Sequence, residues 1–255
     1  MLIAGTQEFM LFSLILMRMA GFIFLNPVLG RRNIPAMAKT GMALVLAMLI
    51  FPLASGDVPD IGSPIEFGFL LLKEFLIGYL LGLIMQLFNF AVTYAGSIMD
   101  FQMALSMANV YDAQSGIQVA LSGSILNVYF MLLFFAVDGH LALMDILVTS
   151  ADIVPYAQVG FGTEAAEAVL EIFLDCVLLA IKLAFPFIGI ILILEVGVGI
   201  LMKIIPQLNL FVLNIPLKIL LGLALLMFLT SPIGDYLGDV IADMLRALQY
   251  ALTTI

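Results

Sequence analysis

Residues 75–99, FLIGYLLGLIMQLFNFAVTYAGSIM, are 25 consecutive residues without a charged side chain. A helix needs about 20 apolar residues to cross the hydrocarbon core of a bilayer, so this stretch is long enough to span a membrane. A second uncharged stretch of 25 residues, 113–137, begins in polar sequence and continues into apolar sequence. Shorter uncharged stretches occupy residues 19–30, 40–56, 183–194 and 219–234. The sequence therefore predicts an all-α, polytopic membrane protein.

The composition agrees with this class and argues against several others. Hydrophobic residues make up 64% of the chain and charged residues 11%, and the mean hydropathy is +1.22. The single cysteine, Cys176, excludes an internal disulfide and a cysteine metal cluster, and the single histidine, His140, argues against a histidine zinc site. The net charge of −9 argues against nucleic acid as a partner. We expect no metal and no cofactor, and the absence of Walker, His-Glu-x-x-His and Gly-x-Ser-x-Gly motifs argues against an enzyme.

The chain divides into six apolar regions, which we expect to form a single membrane domain over residues 1–255. They cover about residues 9–29, 36–54, 67–107, 122–148, 165–202 and 210–229. The third and fifth are longer than one straight crossing, so each has room for a half-helix hairpin. Lys182, Pro186 and Glu195 interrupt the fifth region.

The C-terminal tail, about residues 233–255, has the pattern of an amphipathic helix. Asp235, Asp239 and Asp243 recur at every fourth residue. The opposite face holds apolar residues, which are Leu237, Val240, Ile241, Met244 and Leu248.

Basic residues favour one orientation of the chain. Arg31, Arg32 and Lys39 cluster in the connection between the first two apolar regions, whereas the next connection and residues 152–171 are acidic. The positive-inside tendency places the basic connection in the cytoplasm and the N-terminus outside. Six simple crossings would then leave the C-terminus outside as well.

A polar stretch from Asn109 to Ser122 is the only extended polar interruption in the first half of the chain. Unsatisfied backbone is costly in hydrocarbon, so this stretch must be buried in protein, line a water-filled path or lie outside the bilayer. Before it, Met99, Met103 and Met107 recur at every fourth residue and share one helix face if the segment is helical. Together they suggest an element that seals and opens a path. The alternative is ordinary helix packing followed by a connecting loop.

Two charges within apolar regions, Arg18 and Glu195, require partners, because an unpaired charge in hydrocarbon costs at least about 2.5–3.5 kcal/mol. They indicate either an ion or proton path or an ion pair, made with each other or with a partner chain, and we favour the ion pair. Lys218 needs a polar partner as well. The adjacent Lys73 and Glu74 are interpreted as a local pair that anchors a helix end at the interface.

Two short motifs predict packing and a turn. Gly78-x-x-x-Gly82 allows close approach of another helix backbone. Pro206-Gln207-Leu208-Asn209 predicts a turn between the fifth and sixth regions, because Pro206 lacks an N–H and restricts the residue before it. The side chains of Gln207 and Asn209 can hydrogen-bond the backbone groups that such a turn frees.

The order of several short motifs resembles one protein family over nearly the whole chain. The motifs are Arg18-Met-Ala-Gly-Phe22, Pro27-Val-Leu-Gly30, Ile34-Pro35 with Lys39, Lys73-Glu74 with Gly78 and Gly82, Ala95-Gly96-Ser97 with Asp100 and Gln102, Asp138-Gly139-His140, Pro206-Gln-Leu-Asn209 and Pro216-Leu-Lys218. This set resembles the FliR family of flagellar biosynthesis proteins, homologous to the SctT subunits of virulence type III secretion systems.

The resemblance implies a non-enzymatic subunit of a helical, cone-shaped export gate in the bacterial inner membrane, within the flagellar basal body. FliP-like and FliQ-like subunits are the implied gate partners, FlhB-like and FlhA-like proteins complete the apparatus, and unfolded flagellar proteins are the implied substrates. It also implies kinked or hairpinned helices and, against the simple count of crossings, a cytoplasmic C-terminus.

The resemblance further implies that the loop at about residues 106–122 projects into the lumen as a plug. The candidate pore and plug residues are Met103, Met107, Asn109, Tyr111, Asp112, Gln114, Ser115 and Gly116.

Two alternatives to an export gate stay open at this point. One is a small-molecule or ion transporter with a re-entrant loop, which broken helices and midplane polar groups would fit. Inverted internal repeats would favour a transporter, and the regions around Arg18 and Pro206 share no pattern. The other is a structural scaffold that conducts nothing. Exposure of residues 109–118 to a lumen would distinguish a gate from a scaffold.

Overall fold

The computed structural model describes residues 2–31, 33–54, 63–105, 120–158, 160, 162–205 and 210–254. Within these ranges, α-helices are the main regular elements. In chain order they are α1 (Leu2–Leu25), α2 (Ala36–Ile50), α3 (Pro64–Gln102), α4 (Leu121–Ala136), α5 (Gly139–Ile153), α6 (Thr163–Ile204), α7 (Leu210–Phe228) and α8 (Thr230–Thr253).

The helices account for the six predicted apolar regions. Four segments are long and apolar enough to cross a membrane, and they are Gln7–Leu25, Ala36–Leu53, Pro64–Gln102 and Thr163–Ile204. Two further spans result if the pairs α4–α5 and α7–α8, each bent by more than 40° at a short break, are each one span. Asp138, at the first break, has φ 56°, a left-handed conformation that ends α4 and redirects the chain. The expected all-α membrane class with kinked helices is confirmed.

The two overlong regions have room for a half-helix hairpin, but the described residues of each form one continuous helix. The helices α3 and α6 are continuous over 39 and 42 residues, and Pro186 lies inside α6. Proline removes one backbone donor, a loss that a long membrane helix tolerates where nearby groups adjust. Lys182 and Glu195 are on exposed faces of α6 and do not end it. At 1.5 Å per residue, α3 and α6 are about 58 and 63 Å long, about twice the hydrocarbon thickness. Each helix is therefore longer than one perpendicular crossing requires.

The chain forms two compact units. The first unit contains residues 1–88, 138–173 and 242–255, and the second contains residues 89–137 and 174–241. Both units contain buried apolar side chains. In the first these include Leu14, Met19, Phe22, Ile77 and Ile84, and in the second Phe130, Phe134, Phe187, Ile191 and Leu237.

Glycines bring α1 and α3 into backbone contact within the first unit. A Cβ atom on Gly78 would lie 1.8 Å from the carbonyl oxygen of Arg18, and one on Gly82 would lie 2.7 Å from that of Phe22. From the other helix, a Cβ on Gly21 would lie 2.1 Å from the carbonyl oxygen of Phe75. These distances leave no room for a side chain, so both helices need glycine where they cross.

The C-terminal helix α8 begins at Thr230, slightly before the expected start at about residue 233. Asp235, Asp239 and Asp243 are exposed. The five apolar residues of the opposite face are buried, and they are Leu237, Val240, Ile241, Met244 and Leu248. The helix therefore contributes one face to the interior and presents its carboxylates outward.

Substituting Gly78 with alanine should destabilise the protein through the contact between α1 and α3. The added methyl group forces the helices apart, and overpacking of this kind costs about 1–3 kcal/mol. Gly68→Ala is the matched control, because Gly68 lies on the same helix with nothing within 4 Å of its Cβ position. Thermal unfolding of the purified protein in detergent measures the effect of both substitutions. A Gly78→Ala midpoint equal to that of Gly68→Ala would contradict the close packing.

Candidate functional site: a buried charge pair and the base of the polar segment

Arg18 is fully buried in the first unit and is bonded in several directions. Its Nε donates to Glu74 Oε2 at 2.7 Å, Nη1 donates to Ser150 Oγ at 3.3 Å, and Nη2 donates to the carbonyl oxygen of Val154 at 2.9 Å. Its guanidinium carbon lies 4.3 Å from the centre of the Tyr156 ring, within range of a cation–π contact. One side chain of α1 thus contacts α3, α5 and the residues that follow α5.

Glu74 extends this network from α3. It is also fully buried, and its second oxygen, Oε1, accepts from the backbone N–H of Ala157 at 3.0 Å. Ala157 has φ 67°, a conformation rare for residues other than glycine, asparagine and aspartate. The carboxylate therefore holds a strained turn of the segment between α5 and α6.

The backbone groups of this network determine which side chain must be the donor and which the acceptor. The carbonyl of Val154 can only accept, so it requires the guanidinium, and the N–H of Ala157 can only donate, so it requires the carboxylate. Two charges removed from water are costly unless their remaining hydrogen-bonding groups are satisfied. Here the additional bonds offset part of that cost, and they also set the position of the connecting segment.

Tyr156 closes one side of the network. Burial raises the pKa of its phenol, the nearby charge of Arg18 opposes that rise, and Glu74 and Asp152 reinforce it. The phenol is therefore neutral at physiological pH. Its contribution to the network is the face of the ring, which lies against the guanidinium of Arg18.

Two predictions about charged residues are corrected by these contacts. Glu74 is not an interfacial anchor paired with Lys73, because it is buried and bonded to Arg18. Arg18 and Glu195 do not pair with each other. Glu195 instead pairs with Lys218 in the second unit, between α6 and α7. Arg18, Glu195 and Lys218 thus all have partners within the chain.

The residues that precede the polar segment are packed against α7. Met103 directly follows α3 and is fully buried. A Cβ atom on Gly222 would lie 2.1 Å from the sulfur of Met103, so the thioether occupies a notch that this glycine leaves on α7. The next residue, Ala104, has φ 60°, which turns the chain away from the helix. Met103 is therefore an anchor beside the polar segment, covered by the chain itself.

The C-terminal end of the polar segment is hydrogen-bonded to α3. The backbone N–H of Ser122, in the first turn of α4, donates to both oxygens of the buried Asp100, at 3.1 and 3.2 Å. Beside this bond the two backbones touch, because a Cβ on Gly96 would lie 2.3 Å from Gly123. Further along, Asn127 Nδ2 donates to Asn89 Oδ1 at 2.6 Å.

The remaining candidate residues lie outside the described residues. In the polar segment these are Met107, Asn109, Tyr111, Asp112, Gln114, Ser115 and Gly116. In the predicted turn they are Pro206, Gln207 and Asn209, and the flanking helices end at Ile204 and begin at Leu210. Among the residues that are described, no group of three or more His, Cys, Asp or Glu side chains is placed to hold a metal ion.

Sequence reasoning missed the partner of Arg18, although a signal for it was present. Glu74, Gly78 and Gly82 recur at every fourth residue, which puts the carboxylate on the helix face where α1 approaches. Asp100 belongs to one of the motifs of the family resemblance, but the sequence assigns no role to this residue. No local pattern indicates that it bonds Ser122, because that contact joins two different helices.

Comparison with known proteins gives consistent matches over most of the chain. The model of the family described as bacterial export proteins, family 1, matches residues 9–244. The flagellar biosynthetic protein FliR of Bacillus subtilis (strain 168) is 30% identical over 247 residues, covering 96% of this chain and 95% of that protein. The FliR proteins of Escherichia coli (strain K12) and Caulobacter vibrioides are 32% and 28% identical, covering 90% and 91% of this chain and 89% and 93% of their own lengths.

Replacing Arg18 with lysine should destabilise the protein although the charge is retained. A single ammonium cannot reach Glu74, Ser150 and Val154 in their three directions, and each buried acceptor left unbonded costs about 1–3 kcal/mol. Arg246→Lys is the matched control, because Arg246 pairs with Asp243 on an exposed surface of α8. Thermal unfolding and complex yield should fall for the first variant only. Equal behaviour of the two variants would show that Arg18 acts only as a point charge.

Proposed function

We propose that the chain, which belongs to the bacterial export proteins of family 1, is a component of the flagellar type III protein export apparatus. The observation that carries this proposal is the match over residues 9–244, together with relatives named flagellar biosynthetic protein FliR that align over about nine-tenths of both chains. A transporter with a re-entrant loop is not favoured, because the family and these relatives are export and flagellar proteins.

The location we propose is the bacterial inner membrane, at the flagellar basal body. Four to six helical segments are long and apolar enough to cross a bilayer, which supports a membrane location. The buried side chains of Arg18 and Glu74 are paired, and Glu195, on an exposed face of α6, is paired with Lys218. Such pairing is what an apolar surrounding requires of ionised groups.

The partners we propose are FliP-like and FliQ-like subunits of the gate, with FlhB-like and FlhA-like proteins beside it. Large apolar side chains stand out from several helices, with Met37 87%, Phe228 85% and Phe101 73% exposed. Lipid and other subunits are the surroundings that suit such surfaces. Substrates would be unfolded flagellar proteins, which pass through the assembled gate.

The specific role we propose for the polar segment at about residues 106–122 is to close the pore. Its polar composition does not suit contact with lipid, and the chain is held on both sides of it within the second unit. Before the segment, Met103 packs against Gly222 of α7. At its end, the backbone N–H of Ser122 bonds to Asp100 of α3. Fastened ends would let the polar residues between them, Asn109 to Gly116, move aside without loosening the helices.

Removing the polar segment should make the membrane leaky without preventing assembly. Residues 109–118 are replaced by a short Gly-Ser bridge, and leakage of ions and small solutes is measured in cells that express the gate. Replacing residues 57–62 in the acidic connection before α3 by Gly-Ser is the control, which should remain tight. Complex yield on a native gel shows assembly. Normal assembly with a tight membrane would show that the segment is only a connection.

Expression with partners should raise the amount of intact protein. The apolar surfaces exposed on α2, α3 and α7 are left uncovered by the chain itself, so FliP-like and FliQ-like subunits should protect it from aggregation and proteolysis. The measurement is the yield of monodisperse protein in mild detergent with and without the partner genes. A stable, long-lived monomer at equal yield would contradict obligate assembly.

A further inference from the structure

The start of α4 lacks a cap of its own. Ala120 occupies the N-cap position with φ −65° and ψ 125°, and no side chain at that position bonds the first turn. Helix starts leave four backbone N–H groups without helical partners, and serine, threonine, aspartate or asparagine at the N-cap normally accepts from one of them. In this chain, the acceptor comes from a different helix.

Asp100, in the last turn of α3, is that acceptor. Both of its carboxylate oxygens receive the N–H of Ser122, and the side chain is 1% exposed. A buried carboxylate is stabilised at a helix start by the N–H groups and by the positive end of the helix dipole. The contact between Gly96 and Gly123 lets the two backbones approach closely enough for this bond.

We propose that Asp100 is a positioning residue, which fastens the first turn of α4 to the last turn of α3 and fixes the two ends from which the polar segment departs. This inference rests on the proposed function, in which that segment closes the pore. It makes closure of the pore depend on a bond at the C-terminal end of the segment, formed by Ser122 and Asp100. Capping alone does not require Asp100, because a residue at position 120 is able to supply it.

The test separates capping from fastening. Asp100→Ala removes both, whereas Asp100→Ala with Ala120→Asp restores a cap within α4 and leaves the connection to α3 absent. Asp100→Asn keeps an acceptor oxygen for Ser122 at the same place. Asp239→Ala removes an exposed carboxylate from α8 and is the control for loss of charge.

Two quantities are measured on the complete gate in membranes. They are the leak rate for a small solute and the yield of assembled complex. We expect Asp100→Ala to lower the yield and to raise the leak about tenfold, the change that follows from losing one hydrogen bond to a charged group. The added Ala120→Asp should restore the yield but not the tight membrane. Asp100→Asn and Asp239→Ala should remain close to the unsubstituted protein.

Hydrogen exchange of the assembled complex gives a second, independent reading. The amides in the first turn of α4 should exchange faster in Asp100→Ala, and Ala120→Asp should slow them again. The end of α3 should stay faster in both variants, because its bond to α4 is absent.

Three results would overturn the inference. The first is a tight membrane for Asp100→Ala at normal yield, and the second is a tight membrane for the double variant, which would reduce Asp100 to a cap. The third is a leak for Asp100→Asn as large as that for Asp100→Ala. Failure of the proposed function itself is distinct, since the membrane would then stay tight when residues 109–118 are replaced.

Discussion

A guanidinium and a carboxylate without solvent contact, those of Arg18 and Glu74, are the constraint on which the first unit depends. Ionised groups in an apolar interior are tolerable only when their hydrogen-bonding groups are satisfied. Arg18 donates three hydrogen bonds, to α3, to α5 and to Val154, and Glu74 also accepts from Ala157. This one pair therefore joins three helices of the unit, α1, α3 and α5, and the start of the segment between α5 and α6.

The long helix α3 uses the same arrangement twice. In the first unit, Glu74 accepts a backbone N–H, and Gly78, four residues later, touches the backbone of α1. In the second unit, Asp100 accepts the N–H of Ser122, and Gly96, four residues earlier, touches the backbone of α4. The glycine lets the two helix backbones approach closely, and the buried acid selects one particular N–H as its partner. Apolar packing between membrane helices does not provide this selection of a partner.

Hydrophobic runs along the sequence were sufficient to predict the all-α membrane class, because burial in lipid demands about 20 apolar residues per crossing. They indicated six apolar regions, whereas the described residues form eight helices. They were not sufficient to predict where the chain bends. The overlong α3 and α6 are continuous, and the breaks occur at Asp138 and before Thr230 instead. The pairing of Arg18 with Glu74 was missed as well, because the two residues are far apart in the chain. Its one signal was the spacing of Glu74, Gly78 and Gly82, which puts the carboxylate on the face of α3 that α1 approaches.

A double-mutant cycle on Arg18 and Glu74 tests this account most directly. The variants are Arg18→Met, Glu74→Met and the two combined, and the free energy of unfolding of the purified complex is measured by denaturant titration in mixed micelles. Each single change should cost about 3–5 kcal/mol, because it leaves an unpaired charge in the interior. The combined change should cost at least about 2 kcal/mol less than the sum of the two. Additive costs, or single changes below about 1 kcal/mol, would contradict the claim that this pair holds the unit together.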